Sequence, residues 1–234
     1  MGVNFLAVSY MDFTKSGVQF FADMNKNRLF TRNTENYINR LGRNDLNTLG
    51  NNSLLDIFMS QGHVVEPHYH QNASEIVYCI KGSAVISLIN PFTQEVKEIH
   101  ISPGQVANLP QGWWHWILAT SDETHLLSIF DAPYPEYILG SDVLKNTPIE
   151  VLAHTYCLDA NKLQSALAPL EGGIVIGPKD DCKRQTQRPV VQQNQLPISS
   201  EPLYQRANTY HHMNISTQQT NSLPHSSNPN YLNY

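Results

Sequence analysis

The chain has 234 residues, of which 41% are hydrophobic and 15% are charged, and its formal net charge is −5 at pH 7. This length suits one domain with appendages, and the hydrophobic fraction is enough for a sizeable core. The acidic balance, the absence of any Lys/Arg run and the absence of roughly 18 uninterrupted apolar residues lead us to expect no nucleic-acid partner and no membrane span.

Residues 1–50 mix aromatic side chains with many asparagines and show no sustained hydrophobic period. We expect this segment to be an N-terminal arm that packs on the following domain. The first residues, 1–10, are apolar but lack the basic leader and the cleavage site of a signal peptide. The sequence therefore predicts no signal peptide, and the cytoplasm is the default location.

Residues 51–145 alternate between short β-rich runs and turn residues. Breakers such as Asn90-Pro91 and Ser102-Pro103-Gly104 stand where a strand must stop. Several short strands at this spacing are typical of a sandwich or a barrel. The predicted strands are LLDIFMS at 54–60, EIVYCI at 75–80, AVISLI at 84–89, KEIHIS at 97–102, WHWILAT at 114–120 and HLLSIF at 125–130.

Residues 146–173 change to a helical pattern. Thr147 is a candidate N-cap with Glu150 as its capping-box partner, which predicts a short helix over Pro148–Thr155. A second helix is predicted over Asp159–Ala168, with the aspartate as its cap. We expect these helices to form an extension that follows the barrel.

Residues 180–234 form a tail rich in Gln, Asn, Ser and Pro, with very few apolar clusters. Such a composition predicts disorder, or order only with a partner. Its amides would also suit incorporation into a surface or coat assembly.

Four side chains are candidates for one metal site. His68 and His70 are two residues apart in an extended run, so both imidazoles point to the same face of a strand. Glu75 follows a turn-like segment, which lets the next strand return and bring its carboxylate beside them. His115 begins a later strand after Pro110-Gln111-Gly112. Three imidazoles and one carboxylate suit Mn, Fe, Ni, Cu or Zn, and ligand type alone does not choose among these ions.

The four candidates lie within two spaced motifs. The first contains Gly62, His68, His70, Glu75 and Gly82, and the second contains Gly104, Pro110, Gly112 and His115. In both motifs the residues and their spacing resemble those of the cupin superfamily. The resemblance implies an all-β fold, a double-stranded β-helix or jelly-roll barrel with short C-terminal helices. It also implies one divalent metal held by the four candidate ligands, and a homo-oligomer, since cupins commonly pair into dimers.

A wider similarity points to one half of the oxalate decarboxylase-like bicupins. It rests on Phe130-Asp131, Asp142-Val143-Leu144 and the segment 147–153, which follow in the same order. This similarity makes manganese the first expected metal, ahead of iron, zinc, nickel and copper. Two positions depart from those enzymes: Val65 stands where they have a substrate-binding arginine, and Glu136, on a shorter loop, is the nearest candidate for their proton-donating glutamate.

Two functions follow as hypotheses. The first is a metal-dependent enzyme, of the oxidoreductase or lyase type, that acts on a small-molecule substrate. Its expected pocket contains Val65, Trp113 and Ile117, since the last two share the face of His115, and its candidate catalytic acid is Glu136. The second is a non-enzymatic structural or binding cupin within a larger assembly such as a coat or surface layer.

Overall fold

Two antiparallel sheets share one buried core in the computed structural model, which describes residues 11–182. The first sheet, in spatial order, contains β1 (Arg28–Thr31), β2 (Tyr37–Leu41), β3 (Ser53–Met59), β10 (Thr124–Phe130), β5 (Glu75–Lys81) and β8 (Val106–Leu109). The second contains β11 (Ile138–Leu139), β4 (Val64–Tyr69), β9 (His115–Ala119), β6 (Ala84–Ile89) and β7 (Val96–Ile101), and β12 (Ile176–Gly177) also pairs with β4.

The core lies between the inward faces of the two sheets. Ile57, Val77 and Leu126 project from the first sheet, and Ile86 and Ile117 from the second, and all five are buried. Side chains alternate between core and outer face along each strand because successive residues of a strand point to opposite sides. The predicted all-β jelly-roll barrel is confirmed.

The six strands predicted from β-rich runs are all present. Each agrees with an observed strand to within one residue at either end. Among the described residues, β8 was not predicted as a strand because its four residues, Val106–Leu109, bury only two side chains. Short edge strands of this kind carry too little periodicity to be recognised.

Part of the predicted N-terminal arm lies in the first sheet. The strands β1 and β2 extend that sheet beyond β3, and Ile38 of β2 pairs with Ile57 of β3 in the core. The arm shows no strand pattern in the sequence because β2 buries one apolar side chain, Ile38, next to one polar side chain, Asn39. The arm residues 1–10 lie outside the described residues.

Short helices follow the barrel, as expected. They are α1 (Gly140–Asn146), α2 (Ile149–Tyr156) and α3 (Ala160–Leu167). The cap of α3 is confirmed, since the side chain of Asp159 accepts a hydrogen bond from the Lys162 amide. The predicted capping box at Thr147 is wrong. Pro148 occupies the N-cap position of α2, which has no side-chain cap, and the Thr147 hydroxyl is directed back to the Val143 carbonyl at the end of α1.

Two further expectations concern a membrane span and the C-terminal tail. No helix within residues 11–182 is long and apolar enough to cross a membrane. The tail predicted for residues 180–234 lies outside the described residues from position 183 onward.

The turn between β5 and β6 requires a glycine. Gly82 has a φ of +75°, and a Cβ atom added there would lie 2.8 Å from the Thr124 Cα. A left-handed φ strains any other residue, and a backbone atom this close cannot move aside cheaply.

We expect Gly82→Ala to lower the free energy of unfolding by about 3 kcal/mol, because strain and overpacking add. The matched control is Gly104→Ala, which has a φ of +86° but open space around its Cβ position, and should lose only about 1 kcal/mol. Urea titrations of both variants measure the difference. Equal losses would contradict the proposed contact with Thr124.

Candidate metal centre

The structure brings the four candidate ligands together inside the barrel. His68 lies in β4, His70 directly follows that strand, Glu75 begins β5 and His115 begins β9. All four are buried, and their ligand atoms lie within 4.8 Å of one another. Within residues 11–182, no other group of three or more His, Cys, Asp or Glu side chains brings its ligand atoms this close together.

Strand register explains this convergence. The pairing of β4 with β9 places His68 directly opposite His115. The turn after His70 is closed by a hydrogen bond from the Gly112 amide to the His70 carbonyl, at 2.9 Å. The strand β5 then returns and places Glu75 on the same side of the core.

A second carboxylate fixes that turn. The Asp131 side chain accepts hydrogen bonds from the Ser74 amide, at 2.8 Å, and from the Ser74 hydroxyl, at 2.7 Å. The bond from the Ser74 side chain lowers the pKa of Asp131, so the anchor is ionised at neutral pH. Ser74 directly precedes Glu75, and the contact therefore sets where β5 begins.

Backbone carbonyls orient all three imidazoles. The Nδ1 atom of His68 lies 2.6 Å from the Glu66 carbonyl, that of His70 lies 2.9 Å from the Glu136 carbonyl, and that of His115 lies 2.8 Å from the Trp113 carbonyl. A carbonyl oxygen only accepts hydrogen bonds, so each Nδ1 carries the proton. The Nε2 atoms are left with free lone pairs, which is the tautomer that binds a metal.

These lone pairs face a carboxylate oxygen. The Glu75 Oε2 atom lies 3.4 Å from the His70 Nε2 and 3.2 Å from the His115 Nε2. All three atoms are buried without a hydrogen-bond partner. Buried acceptors that face one another are unfavourable unless a cation lies between them. The donor set of this chain therefore fits a divalent metal ion.

The pKa of His68 favours the neutral form that a metal requires. Burial and, to a lesser extent, the nearby His115 together lower this pKa to about 3. Burial raises the pKa of Glu75, and the contacts that would lower it are hydrogen bonds donated by the His115 and His70 Nε2 atoms. The tautomer set by the backbone carbonyls removes those donors, so a bound cation would be what keeps this carboxylate ionised. A neutral imidazole and an ionised carboxylate at neutral pH are the forms that act as ligands.

A cavity of about 180 Å³ adjoins the site. His68, His70 and Glu75 form its polar end, and the remaining walls are mainly apolar. Val65 and Ile117, which pair across β4 and β9, both line it. The other lining residues are Leu29, Phe30, Ile38, Leu55, Ile57, Phe130, Tyr137, Leu139 and Val175.

Trp113 and Glu136 occupy different places from those predicted. Neither belongs to the cavity lining. Trp113 packs against the core and near Phe92, with ring centroids 6.3 Å apart. The Glu136 carboxylate accepts a hydrogen bond from the Gln71 side chain at 3.0 Å. Both residues serve the site through their backbone carbonyls, which orient His115 and His70.

Glu66 is a structural residue of the site that the sequence did not reveal. Its buried carboxylate accepts hydrogen bonds from the Ser141 amide at 2.9 Å, the Ser141 hydroxyl at 3.1 Å and the Val175 amide at 2.6 Å. These contacts hold Val175 where it lines the cavity. No local pattern could have indicated them, because the partners are 75 and 109 residues away in the chain.

Comparison with known proteins supports one family. A sequence profile described as cupin matches residues 25–164. Cruciferin CRU1 of Brassica napus is 26% identical over 121 residues, which cover 47% of this chain and 24% of that protein. The chain thus spans about a quarter of the length of this curated relative.

Solved structures share the fold at low identity. The coconut allergen cocosin has a TM-score of 0.59 and 22% identity over 68% of this chain and 43% of its own. A structure concerned with the Mn(II) centres of Bacillus subtilis oxalate decarboxylase has a TM-score of 0.57 and 22% identity, over 67% of this chain and 42% of its own. At this identity the similarity establishes the fold alone.

The metal-free protein should lose stability as the pH falls below 6.5. Unfolded His68 takes up a proton near its ordinary pKa of 6.5, whereas folded His68 does so only at about 3. The unfolded state then binds more protons between these values, so the free energy of unfolding falls with pH across that range.

Urea titrations of the metal-free protein at pH 7, 5 and 4 measure this slope. His68→Gln should show a shallower decline, while His100→Gln, at an exposed histidine, should keep the original slope. Identical slopes for the original protein and His68→Gln would refute the assignment to His68.

Proposed function

The chain belongs to the cupin family, and we propose that it is a metal-dependent enzyme of the oxidoreductase or lyase type that acts on a small metabolite. The observation that carries this proposal is the convergence of buried, unpartnered acceptor atoms of His70, Glu75 and His115, with His68 beside them. Manganese is the first proposed metal, since a similar structure is described by its Mn(II) centres. Iron, zinc, nickel and copper follow.

A divalent metal held by these four residues would polarise an oxygen atom of a bound molecule or of water. The chain contributes the orientation of the ligands, through the Glu66, Glu136 and Trp113 carbonyls. The apolar walls contributed by Val65 and Ile117 offer water no hydrogen-bonding groups, and this lower local polarity would strengthen electrostatic interactions at the polar end of the cavity.

Oxalate chemistry is not part of this proposal. A bidentate clamp on a substrate carboxylate requires a guanidinium group. The chain has Val65 at the position where the decarboxylases have that arginine, and the Val65 side chain forms an apolar wall of the cavity. Glu136 is the nearest candidate for the proton-donating glutamate of those enzymes, and its carboxylate accepts a hydrogen bond from the Gln71 side chain.

Metal binding is the first test of this proposal. We expect about one divalent ion per chain, and Glu75→Gln should weaken its binding by more than about 100-fold because the neutral amide is a poor ligand. Glu98→Gln, at an exposed glutamate of β7, is the matched control and should bind like the original protein. Elemental analysis after dialysis, together with metal titration by calorimetry, gives both values. A protein without stoichiometric metal would remove the basis of the proposal.

Chemistry is tested next, with the manganese-loaded protein. Oxygen consumption and carbon dioxide release are followed with small carboxylic acids, and Glu75→Gln serves as the inactive reference. Turnover that is equal in the loaded protein and in Glu75→Gln would contradict metal dependence.

A second candidate function is a non-enzymatic cupin that assembles with copies of itself. The outer face of the first sheet favours it, because it presents apolar side chains to solvent. Ile76, Tyr78, Ile80 and Val106 are exposed, and Leu127 beside them is half-buried. This apolar patch, bordered on one side by the Asp56–His125 pair, complements a second copy of itself across a two-fold axis. We propose that two copies pair through this outer face.

Sedimentation equilibrium tests this pairing. The original protein should have twice the mass of the 26.5 kDa chain, and Val106→Glu should shift it to the single-chain mass because like charges would meet in a desolvated interface. Val151→Glu, at a comparably exposed valine of α2, should leave the dimer intact. A monomeric original protein, or equal effects of both variants, would exclude this face as the contact.

A further inference from the structure

The apolar cavity beside the metal centre restricts the charge of its ligand. None of the described lining residues is a lysine or an arginine. Arg32 lies behind one wall, with its guanidinium 5.3 Å from the centre of the Phe30 ring. That group is already bonded to the Ile174 and Ile176 carbonyls, at 2.8 and 2.9 Å. The cavity therefore offers no protein cation to a bound anion.

Charge counting at the site then favours one negative charge on the ligand. A divalent metal contributes two positive charges, Glu75 contributes one negative charge, and the three imidazoles are neutral in the tautomer set by their carbonyl partners. One positive charge remains. A monoanion neutralises it, whereas a dianion would leave an uncompensated negative charge beside mainly apolar walls, which is costly.

The walls and the volume define the rest of the ligand. Val65, Ile117, Ile57 and Phe130 present hydrocarbon surface and no hydrogen-bonding groups of their side chains. The volume of about 180 Å³ is slightly larger than that of a dry apolar cavity of about 150 Å³ that accommodates benzene. A branched aliphatic chain or a single ring fills such a space.

We propose that the ligand of this site is a small monocarboxylate with a compact apolar body, its carboxylate toward the metal and its body against Val65 and Ile117. This proposal rests on the proposed metal-dependent function and narrows its substrate class. It also accounts for valine at position 65: a clamp for a second carboxylate has no use where the ligand carries only one.

An isosteric pair of probes tests the charge argument. The molecules 4-methylpentanoate and succinate have nearly the same shape, and differ in that an isopropyl group replaces one carboxylate. Calorimetric titration of the zinc-loaded full-length protein should show at least tenfold tighter binding of 4-methylpentanoate. Equal affinities, tighter binding of succinate, or no binding of either probe would overturn the proposal.

A wall variant tests the position of the apolar body. Val65→Thr keeps the shape of the side chain but places a hydroxyl group in the wall, and should weaken 4-methylpentanoate binding about fivefold or more. Val151→Thr makes the same change at an exposed valine of α2, away from the cavity, and should leave binding unchanged. Equal binding by both variants would overturn the proposed position.

The metal content of each sample distinguishes failure of the proposed function from failure of the proposed ligand class. If the protein binds neither zinc nor manganese, the proposed function fails. If it binds one zinc ion and does not prefer the monocarboxylate, only the ligand class fails.

Discussion

The repulsion among buried lone pairs at the centre of the barrel is the constraint on which the rest of the structure depends. Without a cation, the Glu75 carboxylate and the Nε2 atoms of His70 and His115 face one another within 3.4 Å and have no other partner. Such an arrangement costs free energy in the folded state, and a folded domain has only about 5–15 kcal/mol of stability from which to offset it. Hydrogen bonds between the Nδ1 atoms and backbone carbonyls keep the three imidazoles in this arrangement.

Those contacts connect the ligands to the walls of the cavity. Glu66 orients His68 through its carbonyl, and through its carboxylate it binds Ser141 and the Val175 amide. One residue of β4 thus positions a ligand and also holds the later segment that encloses the cavity. The segment after β10 acts similarly, since its Glu136 carbonyl orients His70 while the next residue, Tyr137, lines the cavity. The ligand geometry and the shape of the cavity are therefore determined together.

The parts that could be predicted from the sequence are those with a local signature. Short β-rich runs between turn residues indicated six strands, and fixed spacing indicated the four ligands. Contacts between distant segments leave no such signature. The strand β2 belongs to the sheet only because it pairs with β3, and β1 only because it pairs with β2. Glu66 has the pattern of an ordinary exposed acid in an alternating strand, and its burial depends on the approach of Ser141 and Val175.

Side-chain direction was the other source of error. Alternation correctly placed Ile117 on the face of His115, but Trp113 precedes β9, where strand alternation does not apply. Glu136 was selected by its position in a loop, and a loop does not determine where a carboxylate points. In the structure that carboxylate meets Gln71, at 3.0 Å. Strand periodicity gave the right face for Ile117 because this residue lies in β9. Trp113 and Glu136 lie outside the strands, and their side chains do not line the cavity.

Fold similarity leaves the function undecided here, since proteins as different as a cruciferin and an oxalate decarboxylase resemble this chain. The site is more informative than the fold. A barrel that only needed stability would be better served by apolar side chains than by four buried polar ligands, because an ion pair or metal cluster in a core competes with hydrophobic packing. Retention of all four ligands next to a cavity, rather than within a filled core, is what a binding or catalytic role requires. If a divalent metal binds there as proposed, the apolar walls favour ligands whose single charge it can neutralise.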